Sequence, residues 1–491
     1  MGLALGSASA CGPTIVPEAD GTGGDDLPLP PATSTSDSTA GMDDTADDGV
    51  VDLMSGDVGM PSCTGTPDCP LPVDVLVVVD NSSTMAGHQR LLTSTMVQLV
   101  HQLNDARDGS GDPLTVDAHV MVTTTDMDNP LCSPFQPPGY EPAFGSPIST
   151  PCTDRLADFD SPIGSIPEAC LAACPNAVAP EGAFLALSAD ASNVPPVEPI
   201  DVDGDGDADP PEAQALACLG AVGVNGCGFE SPLEAMRQAL NPLADHNLGP
   251  EPFLRTNSVL SIILITDEID CSVSDPSIMD DAEWWNINPD TGSPAASSAL
   301  CWNAGVECDG PDGAGNYSNC TSRNEERLHG VDGYADFLNE ELGAAHGRNV
   351  FMLPIIGVPP VLAHNPDPPF QPTAGGAPDL IHRDWIDAPY PVGDLSEDDL
   401  ANGTTAANKR FEYGVAPGCS TPGNPESTLR QGIAPVRMLE VCESLDFQDE
   451  EGNDLARCCV ESICDDDPNG SMICFAGMLW PSFGGALPGK G

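Results

Sequence analysis

The chain contains 491 residues, with 76 acidic and only 15 basic side chains, so its formal net charge at pH 7 is −61. Such a charge repels nucleic acid and anionic lipid headgroups, which excludes both as main binding partners. A hydrophobic fraction of 40% is sufficient for a folded core, whereas 50 glycines, 51 prolines and few aromatic residues indicate long loops rather than a helical bundle or a fibre. No apolar stretch approaches the roughly 20 residues that span a bilayer.

The N-terminal segment 1–11 ends in a cysteine after a run of small and apolar residues, Leu-Ala-Leu-Gly-Ser-Ala-Ser-Ala-Cys at positions 3–11. This run resembles the lipobox of bacterial lipoproteins, in which the cysteine is lipidated after the signal peptide is removed. The resemblance implies a lipid anchor at Cys11, which would be the only membrane contact of the protein. The alternative is a flexible N-terminus with an incidental cysteine.

Residues 12–71 predict a disordered acidic linker. Asp, Gly, Thr, Ser and Pro dominate as far as residue 60, and the first basic side chain of the protein is Arg90. Such a segment buries too little apolar surface to offset the conformational entropy lost on folding. Its like charges favour an extended tether if Cys11 is anchored, and a tail without a spacing role if it is not.

A globular domain is predicted over residues 72–475, followed by a C-terminal tail at 476–491. Its first strand, at 73–79, is apolar on both faces, as expected at the centre of a parallel sheet that helices cover. Strands that alternate with helices indicate an α/β fold with a doubly wound, mostly parallel sheet in three layers. Further strands are predicted at 116–124, 259–266 and 349–356, and helices at 92–103, 213–219, 232–240, 325–342 and 435–445. For the helix at 232–240, Ser231 and Glu234 have capping-box spacing and Pro232 takes the first helical position.

Three connections in this domain are much longer than ordinary loops, at 126–228, 268–324 and 358–432. The 19 cysteines show no repeated C-x-x-C spacing, which favours disulfides and a compartment outside the reducing cytosol. From Cys63 onward the cysteines form even local groups, which stabilise insertions expected to lack cores of their own. The groups are Cys63 and Cys69; Cys132, Cys152, Cys170, Cys174, Cys218 and Cys227; Cys271, Cys301, Cys308 and Cys320; and Cys419, Cys442, Cys458, Cys459, Cys464 and Cys474.

The first predicted strand ends in Asp80-Asn81-Ser82-Ser83-Thr84. In an open α/β sheet, ligands bind at the carboxyl ends of strands. Asp80 with the hydroxyls of Ser82 and Thr84 provides hard oxygen ligands for a divalent cation such as Mg²⁺. A second carboxylate, Asp267, follows the strand at 259–266. Helix capping by one hydroxyl is the alternative, but it does not account for Asp80 together with Asp267.

The sequence Asp80-x-Ser82-x-Thr84 resembles the D-x-S-x-S element in the metal-ion-dependent adhesion site of von Willebrand factor type A domains. Asp267 matches the aspartate that follows a later strand in that family, and the resemblance covers about residues 72–465 without the insertions. It implies binding of Mg²⁺ or Ca²⁺ and non-enzymatic recognition of an extracellular protein or polymer. The family's threonine from a middle loop has no match here, and Glu230 is the residue expected in its place.

Residues 201–212 match the pattern D-x-D-x-D-G-x₅-E at every required position and resemble an EF-hand-type calcium loop. The prolines at 194–199 exclude an entering helix, so a constitutive calcium site is expected rather than a sensor. A chance Asp/Gly repeat in an acidic chain is the alternative. The expected Ca²⁺ ligands are Asp201, Asp203, Asp205, Asp207 through its backbone carbonyl, Asp209 through water, and Glu212.

Together these features predict a bacterial lipoprotein, secreted or in the cell envelope, that binds its ligand through an adhesion-type metal site. No H-E-x-x-H, G-x-S-x-G or P-loop string occurs, and the eight histidines, expected at the surface or at caps, lack metal-ligand spacing. An enzyme is therefore not expected. One alternative is a structural envelope protein, stabilised by disulfides and calcium, with no dedicated ligand. A Mg²⁺-dependent hydrolase is less favoured, because Ser82 replaces the acid/base aspartate of haloacid dehalogenase-type phosphatases.

Overall fold

The computed structural model describes the chain from residue 63 to residue 479, with short gaps. The gaps are residues 64, 109, 133–135, 137–138, 162–163, 190, 324–326, 367–368, 424–428, 449–453 and 466–467. Cys11, most of the predicted linker and most of the predicted C-terminal tail lie outside the described residues.

A mostly parallel six-stranded sheet forms the centre of the protein. The strands are β1 (Leu71–Val79), β2 (Val116–Thr124), β3 (Leu185–Leu187), β4 (Val259–Ile265), β5 (Asn349–Ile356) and β6 (Glu461–Ser462). Their order in the sheet is β3-β2-β1-β4-β5-β6, and β3 is the strand that pairs antiparallel with its neighbour. The strands predicted from the sequence are β1, β2, β4 and β5, and they are confirmed. The short edge strands β3 and β6 were not predicted.

The helices flank this sheet and extend into the insertions. They are α1 (Gln89–Asn104), α2 (Pro167–Ala173), α3 (Pro211–Gly220), α4 (Pro232–Ala239), α5 (Ala299–Gly305), α6 (Val331–Asp336, continued by a π-helical segment at Phe337–Gly343), α7 (Glu397–Asn402), α8 (Ala406–Tyr413), α9 (Val436–Glu443) and α10 (Pro468–Leu479). Short 3₁₀ helices lie at Ser83–His88, Cys152–Phe159, Asp245–Asn247, Pro276–Asp280, Ala344–His346 and Ala377–Asp379.

Two helical predictions need correction. The helix predicted from residue 325 begins at Val331: residues 324–326 lie outside the described residues, and Leu328 forms a β-bridge with Val273 instead of a helical turn. The expected capping role of Ser231 is wrong: its hydroxyl donates instead to the Cys271 carbonyl oxygen at 2.7 Å. Packing of the second insertion against the start of α4 therefore takes precedence over the local capping pattern.

Alternate side chains of β1 enter two separate hydrophobic clusters. Val75 and Val77 pack in one cluster with residues of α1, α3 and α10. Leu76 and Val78 pack in the other with residues of α4, α6 and α9. Because successive strand side chains point to opposite faces, helices cover β1 on both sides, which explains its continuous apolar sequence.

The insertions contain two-stranded ribbons and small cores, so the expectation that they lack cores is wrong. The second and third insertions share one hydrophobic cluster that includes Trp302 and Trp385, and the first has a cluster around Phe159. These clusters combine side chains that are far apart in sequence. The ribbons of the insertions are Asp160–Ser161 with Gly164–Ser165, Asn286–Asn288 with Ser293–Ala295, Val306–Asp309 with Ser318–Ser322, Ala363–His364 with Pro372–Ala374, and Pro417–Pro422 with Leu429–Ile433. A further ribbon, Phe447–Gln448 with Asp454–Leu455, follows α9.

Disulfides pair every cysteine from Cys63 onward, and each pair lies within one of the predicted groups. Cys132–Cys227 spans 95 residues and joins the two ends of the first insertion. The other pairs are Cys63–Cys69, Cys152–Cys170, Cys174–Cys218, Cys271–Cys301, Cys308–Cys320, Cys419–Cys464, Cys442–Cys458 and Cys459–Cys474. So many disulfides are compatible with an extracellular or secreted protein. Within the described part of the chain, no helix has the length and apolar character to cross a membrane.

Candidate metal centre

The carboxyl ends of β1 and β4 lie side by side at the edge of the sheet where ligands of open α/β folds bind. The strand order reverses between these two strands, so this edge is the topological switch point. Val79 and Ile265, the last residues of β1 and β4, are paired in register. Asp80 directly follows β1, Asp267 lies two residues after the end of β4, and the Asp80 backbone N–H donates to the Ile265 carbonyl oxygen at 2.9 Å.

The four ligands predicted from the adhesion-site pattern form one chain of hydrogen bonds. The Ser82 backbone N–H donates to Asp80 Oδ1 at 2.7 Å, and the Ser82 and Thr84 hydroxyl oxygens lie 2.9 Å apart. The Thr84 hydroxyl then donates to Asp267 Oδ1 at 2.9 Å. Ser82 makes no side-chain cap to the following 3₁₀ helix, so helix capping does not account for this arrangement.

Glu230 lies buried beside this group, in the loop that precedes α4. One of its carboxylate oxygens accepts a hydrogen bond from the hydroxyl of Thr125, which follows β2. The other, Oε1, has no hydrogen-bond partner among the described residues. Burial, together with the negative charges of Asp80 and Asp126, raises the pKa of Glu230 well above its usual range. The structure thus places Glu230 close enough to Asp80 for their charges to interact.

Sequence reasoning missed two further polar residues at the end of β4. The Thr266 hydroxyl donates to Asp80 Oδ2 at 2.6 Å and orients that carboxylate. Glu268 is buried, and its Oε2 has no partner in the described part of the chain. Both residues flank Asp267, so their position next to a predicted strand end was the available signal.

Sequence reasoning also missed Asp126, two residues after the end of β2. Asp126 connects the first insertion to the loop at residues 80–84, here called the metal loop. Its Oδ2 accepts hydrogen bonds from the Tyr140 hydroxyl at 2.8 Å and from the Cys227 backbone N–H at 3.1 Å. The Tyr140 hydroxyl in turn accepts a hydrogen bond from the Asn81 side chain at 2.8 Å. Both ends of the first insertion are therefore held against the residue that follows Asp80.

Negative charge accumulates at this edge of the sheet. Burial raises the pKa of Asp80 to about 6. It also raises the pKa values of Asp267 and Glu268 well above their usual ranges, and repulsion from neighbouring carboxylates adds to the effect. Buried carboxylates of this density are destabilising unless a cation neutralises them. Hard oxygen donors with unpartnered lone pairs fit a divalent metal ion.

The expectation that the histidines lie at the surface or act as caps is wrong for His88. It is fully buried, and its Nε2 lies 3.6 Å from Asp267 Oδ2. Burial and the positive charge of Arg430 lower the pKa of His88 to about 3. The ring is therefore neutral at physiological pH and does not compensate the carboxylates.

The predicted calcium loop forms a second acidic group. Carboxylate oxygens of Asp201, Asp203 and Asp209 lie within 4.8 Å of one another. Asp201 accepts hydrogen bonds from the backbone N–H groups of Gly204 and Gly206, at 2.6 and 3.0 Å. The φ angles of these glycines are +83° and +100°, which favour glycine and allow the tight turn that the motif predicts.

The structure does not bring the other predicted calcium ligands into that group. The Asp205 carboxylate accepts the Asp207 backbone N–H at 2.8 Å. Glu212 lies in the first turn of α3, and its carboxylate accepts the Ser192 hydroxyl at 2.5 Å. Asp209, which does belong to the group, also contacts α1, because His101 Nε2 lies 3.3 Å from Asp209 Oδ1. The helix predicted after the loop is confirmed as α3.

A cavity of about 1010 Å³ extends between the two acidic groups. Its walls include acidic side chains from both groups, basic side chains, and two aromatic rings from the third insertion. These residues are Thr84, Asp267 and Glu268; Asp201 and Asp203; Arg90, Lys409 and Arg430; and Trp385 and Tyr413.

Comparison with protein-family models finds no match for this sequence, and comparison with curated proteins finds none of significant similarity. The fold and the site therefore define the protein at the level of a disulfide-rich, mixed α/β protein. Its mostly parallel sheet carries buried carboxylate and hydroxyl groups at the topological switch point.

Proposed function

We propose that this protein is a metal-dependent, non-enzymatic binding protein of the bacterial cell surface, built on a von Willebrand factor type A domain. The hydrogen-bonded chain from Asp80 to Asp267 is the observation that carries the proposal. The strand order β3-β2-β1-β4-β5-β6 is that of a doubly wound sheet, and helices on both faces of β1 support a three-layer arrangement.

The proposed cation is Mg²⁺ or Ca²⁺, held by Asp80, Ser82, Thr84 and Asp267 with Glu230 alongside. A divalent ion would neutralise the buried carboxylates and use the lone pair left unpartnered on Glu230. Protein oxygens from the loop after β1 and the end of β4 occupy one side of the ion. The remaining coordination positions are then available to water or to an acidic group of a ligand.

The cavity beside this site supports recognition of a carboxylate-bearing protein or polymer. Only 15 residues of the chain are basic, and Arg90, Lys409 and Arg430 line this one cavity. Lys409 pairs with Asp399 at 3.1 Å, whereas Arg90 is exposed to solvent. With cations bound at both acidic groups, the basic side chains attract a negatively charged ligand in an otherwise acidic protein.

A Ca²⁺ ion at residues 201–212 is the second proposed cofactor, with a structural role. Asp201, Asp203 and Asp209 supply the oxygen donors that support it. The contact of Asp209 with His101 ties the loop to α1, so the ion would hold one wall of the cavity in place. The proposed location is the cell envelope or the exterior, with a lipid anchor at Cys11 and the acidic linker as a tether.

The binding function is tested with polyglutamate as a carboxylate-bearing probe, in the presence of Mg²⁺ and after chelation. We expect metal-dependent binding that Asp80→Ala abolishes and that the control Asp245→Ala, at an exposed acid outside the site, retains. Metal binding without capture of polyglutamate or of any native envelope component would favour the structural alternative. Hydrolysis of phosphoesters that is lost in Asp80→Ala would instead favour the hydrolase.

A further inference from the structure

His88 is a buried histidine at the candidate metal centre whose ring lacks a well-formed hydrogen bond. It ends the 3₁₀ helix that follows the metal loop and is 0% exposed. Neither ring nitrogen has a hydrogen-bond partner within the described residues, although the Ile463 backbone lies near the ring. Buried polar groups without partners are costly and uncommon, so the location of this ring requires an explanation.

The position of His88 relative to Asp267 explains why the ring is buried at this site. The two carboxylate oxygens of Asp267 have different neighbours: Oδ1 accepts the Thr84 hydroxyl at 2.9 Å, and Oδ2 lies 3.6 Å from His88 Nε2. A separation of 3.6 Å is too long for a hydrogen bond. Two ligands that each lie about 2.1 Å from one metal ion are about 3.0 Å apart at adjacent octahedral positions and about 3.4 Å apart in a tetrahedron. The observed pair needs only a small adjustment to share an ion.

The chemistry of imidazole agrees with this geometry. Neutral imidazole, with a free lone pair, is the form that binds metal ions. Glu268 lines the same cavity wall as Asp267 and has an unpartnered carboxylate oxygen, so a further oxygen donor is close by.

We propose that His88 Nε2 is a ligand of the cation at Asp267, so that this centre takes Mn²⁺, Co²⁺ or Zn²⁺ in preference to Mg²⁺ or Ca²⁺. This inference rests on the metal site of the proposed function and replaces the Mg²⁺ or Ca²⁺ proposed there with a transition-metal ion. Mg²⁺ and Ca²⁺ select oxygen ligands, whereas imidazole suits transition-metal ions and carboxylates suit Mn²⁺ as well. A mixed nitrogen and oxygen set therefore shifts the preference away from the alkaline-earth ions.

Mn²⁺ is the probe for the test, with the full chain and pulsed electron paramagnetic resonance. We expect a ¹⁴N coupling to bound Mn²⁺ in the wild type that His88→Gln removes. The same variant should weaken Mn²⁺ binding about tenfold or more and change Mg²⁺ binding much less. The matched control is His382→Gln, because His382 is a half-buried histidine whose Nε2 has no partner among the residues that the structure describes, and its ring stacks on Trp302 at a centroid distance of 5.9 Å.

The wild-type spectrum decides the question even if His88→Gln fails to fold. Bound Mn²⁺ without ¹⁴N coupling, together with equal affinity for Mg²⁺, would overturn the role of His88 and leave the oxygen site of the proposed function intact. If no divalent cation binds at the Asp80 loop, the role of His88 and the proposed function both fail.

Discussion

The Thr84 hydroxyl donates a hydrogen bond to the Asp267 carboxylate across a sequence separation of 183 residues. Thr84 lies in the loop after β1, and Asp267 lies two residues after the end of β4, the neighbouring strand in the sheet. The contact forms because the two strands are parallel and their carboxyl ends share one edge. It brings the two halves of the candidate metal centre together.

The first prediction concerns the charge at Asp80. Asp80→Asn removes a buried negative charge, so the metal-free protein should gain about 1–3 kcal/mol of stability at neutral pH. The same variant should lose most of the stabilisation by divalent ions. Thermal unfolding of wild type and variant, with and without chelator, measures both effects. A variant less stable than the wild type after chelation would contradict the argument from buried charge.

The second prediction separates the two acidic groups. Chelation should lower the melting temperature of the wild type, and Ca²⁺ should restore it more fully than Mg²⁺ because the loop at 201–212 offers a flexible set of carboxylates. Asp203→Asn should reduce the restoration by Ca²⁺, since Asp203 belongs to the group of three converging carboxylates. Asp205→Asn is the matched control, because Asp205 lies outside that group. If both variants reduced the restoration by Ca²⁺ equally, the result would support ligation by the full motif. Insensitivity to chelator would remove the case for calcium.

The third prediction tests how closely the first insertion packs against the metal loop. A methyl group at Gly226 would meet Asn81 Oδ1 at 2.3 Å, so Gly226→Ala must displace the residue next to Asp80. We expect a destabilisation of about 1–3 kcal/mol, and weaker binding of divalent ions. Gly228→Ala is the control, because its nearest neighbouring atom would be 3.9 Å away. Calorimetric titration with metal ions should show weaker binding by Gly226→Ala than by Gly228→Ala. Equal affinities of the two variants would contradict close packing of Gly226 against Asn81.

The fourth prediction concerns pH and Glu461, which lies away from the metal centre. Burial raises the pKa of Glu461 to about 7, although His364 Nε2, which lies 2.8 Å from Glu461 Oε1, acts in the opposite direction. A raised pKa means that folding favours the protonated acid, so its contribution is complete below about pH 4.5 and is lost as pH rises through 7. The free energy of unfolding of the wild type should fall by up to about 3 kcal/mol across this pH range, whereas that of Glu461→Gln should not. Denaturant unfolding at several pH values measures the difference in stability between the two proteins. The same difference at every pH would refute the prediction.

Much of the fold is predictable because its signals are local. Continuous apolar residues in β1 and β4 indicate buried parallel strands, and Asp80, Ser82 and Thr84 lie on one short loop whose spacing suits a cation. The even cysteine groups likewise predict disulfides within each group, although the spacing does not predict which cysteines pair. These predictions need no knowledge of which strands are neighbours.

The sequence by itself determined the central strands, the Asp80 loop and the acidic loop at 201–212, because each depends on periodicity or spacing within a few residues. Only the tertiary structure decided that Glu268, Asp126 and His88 belong to the same edge, and that insertions far apart in sequence share a core. Such groupings depend on strand order and on packing between distant segments, for which no local pattern exists. The burial that changes the protonation of these side chains is likewise a property of the folded assembly.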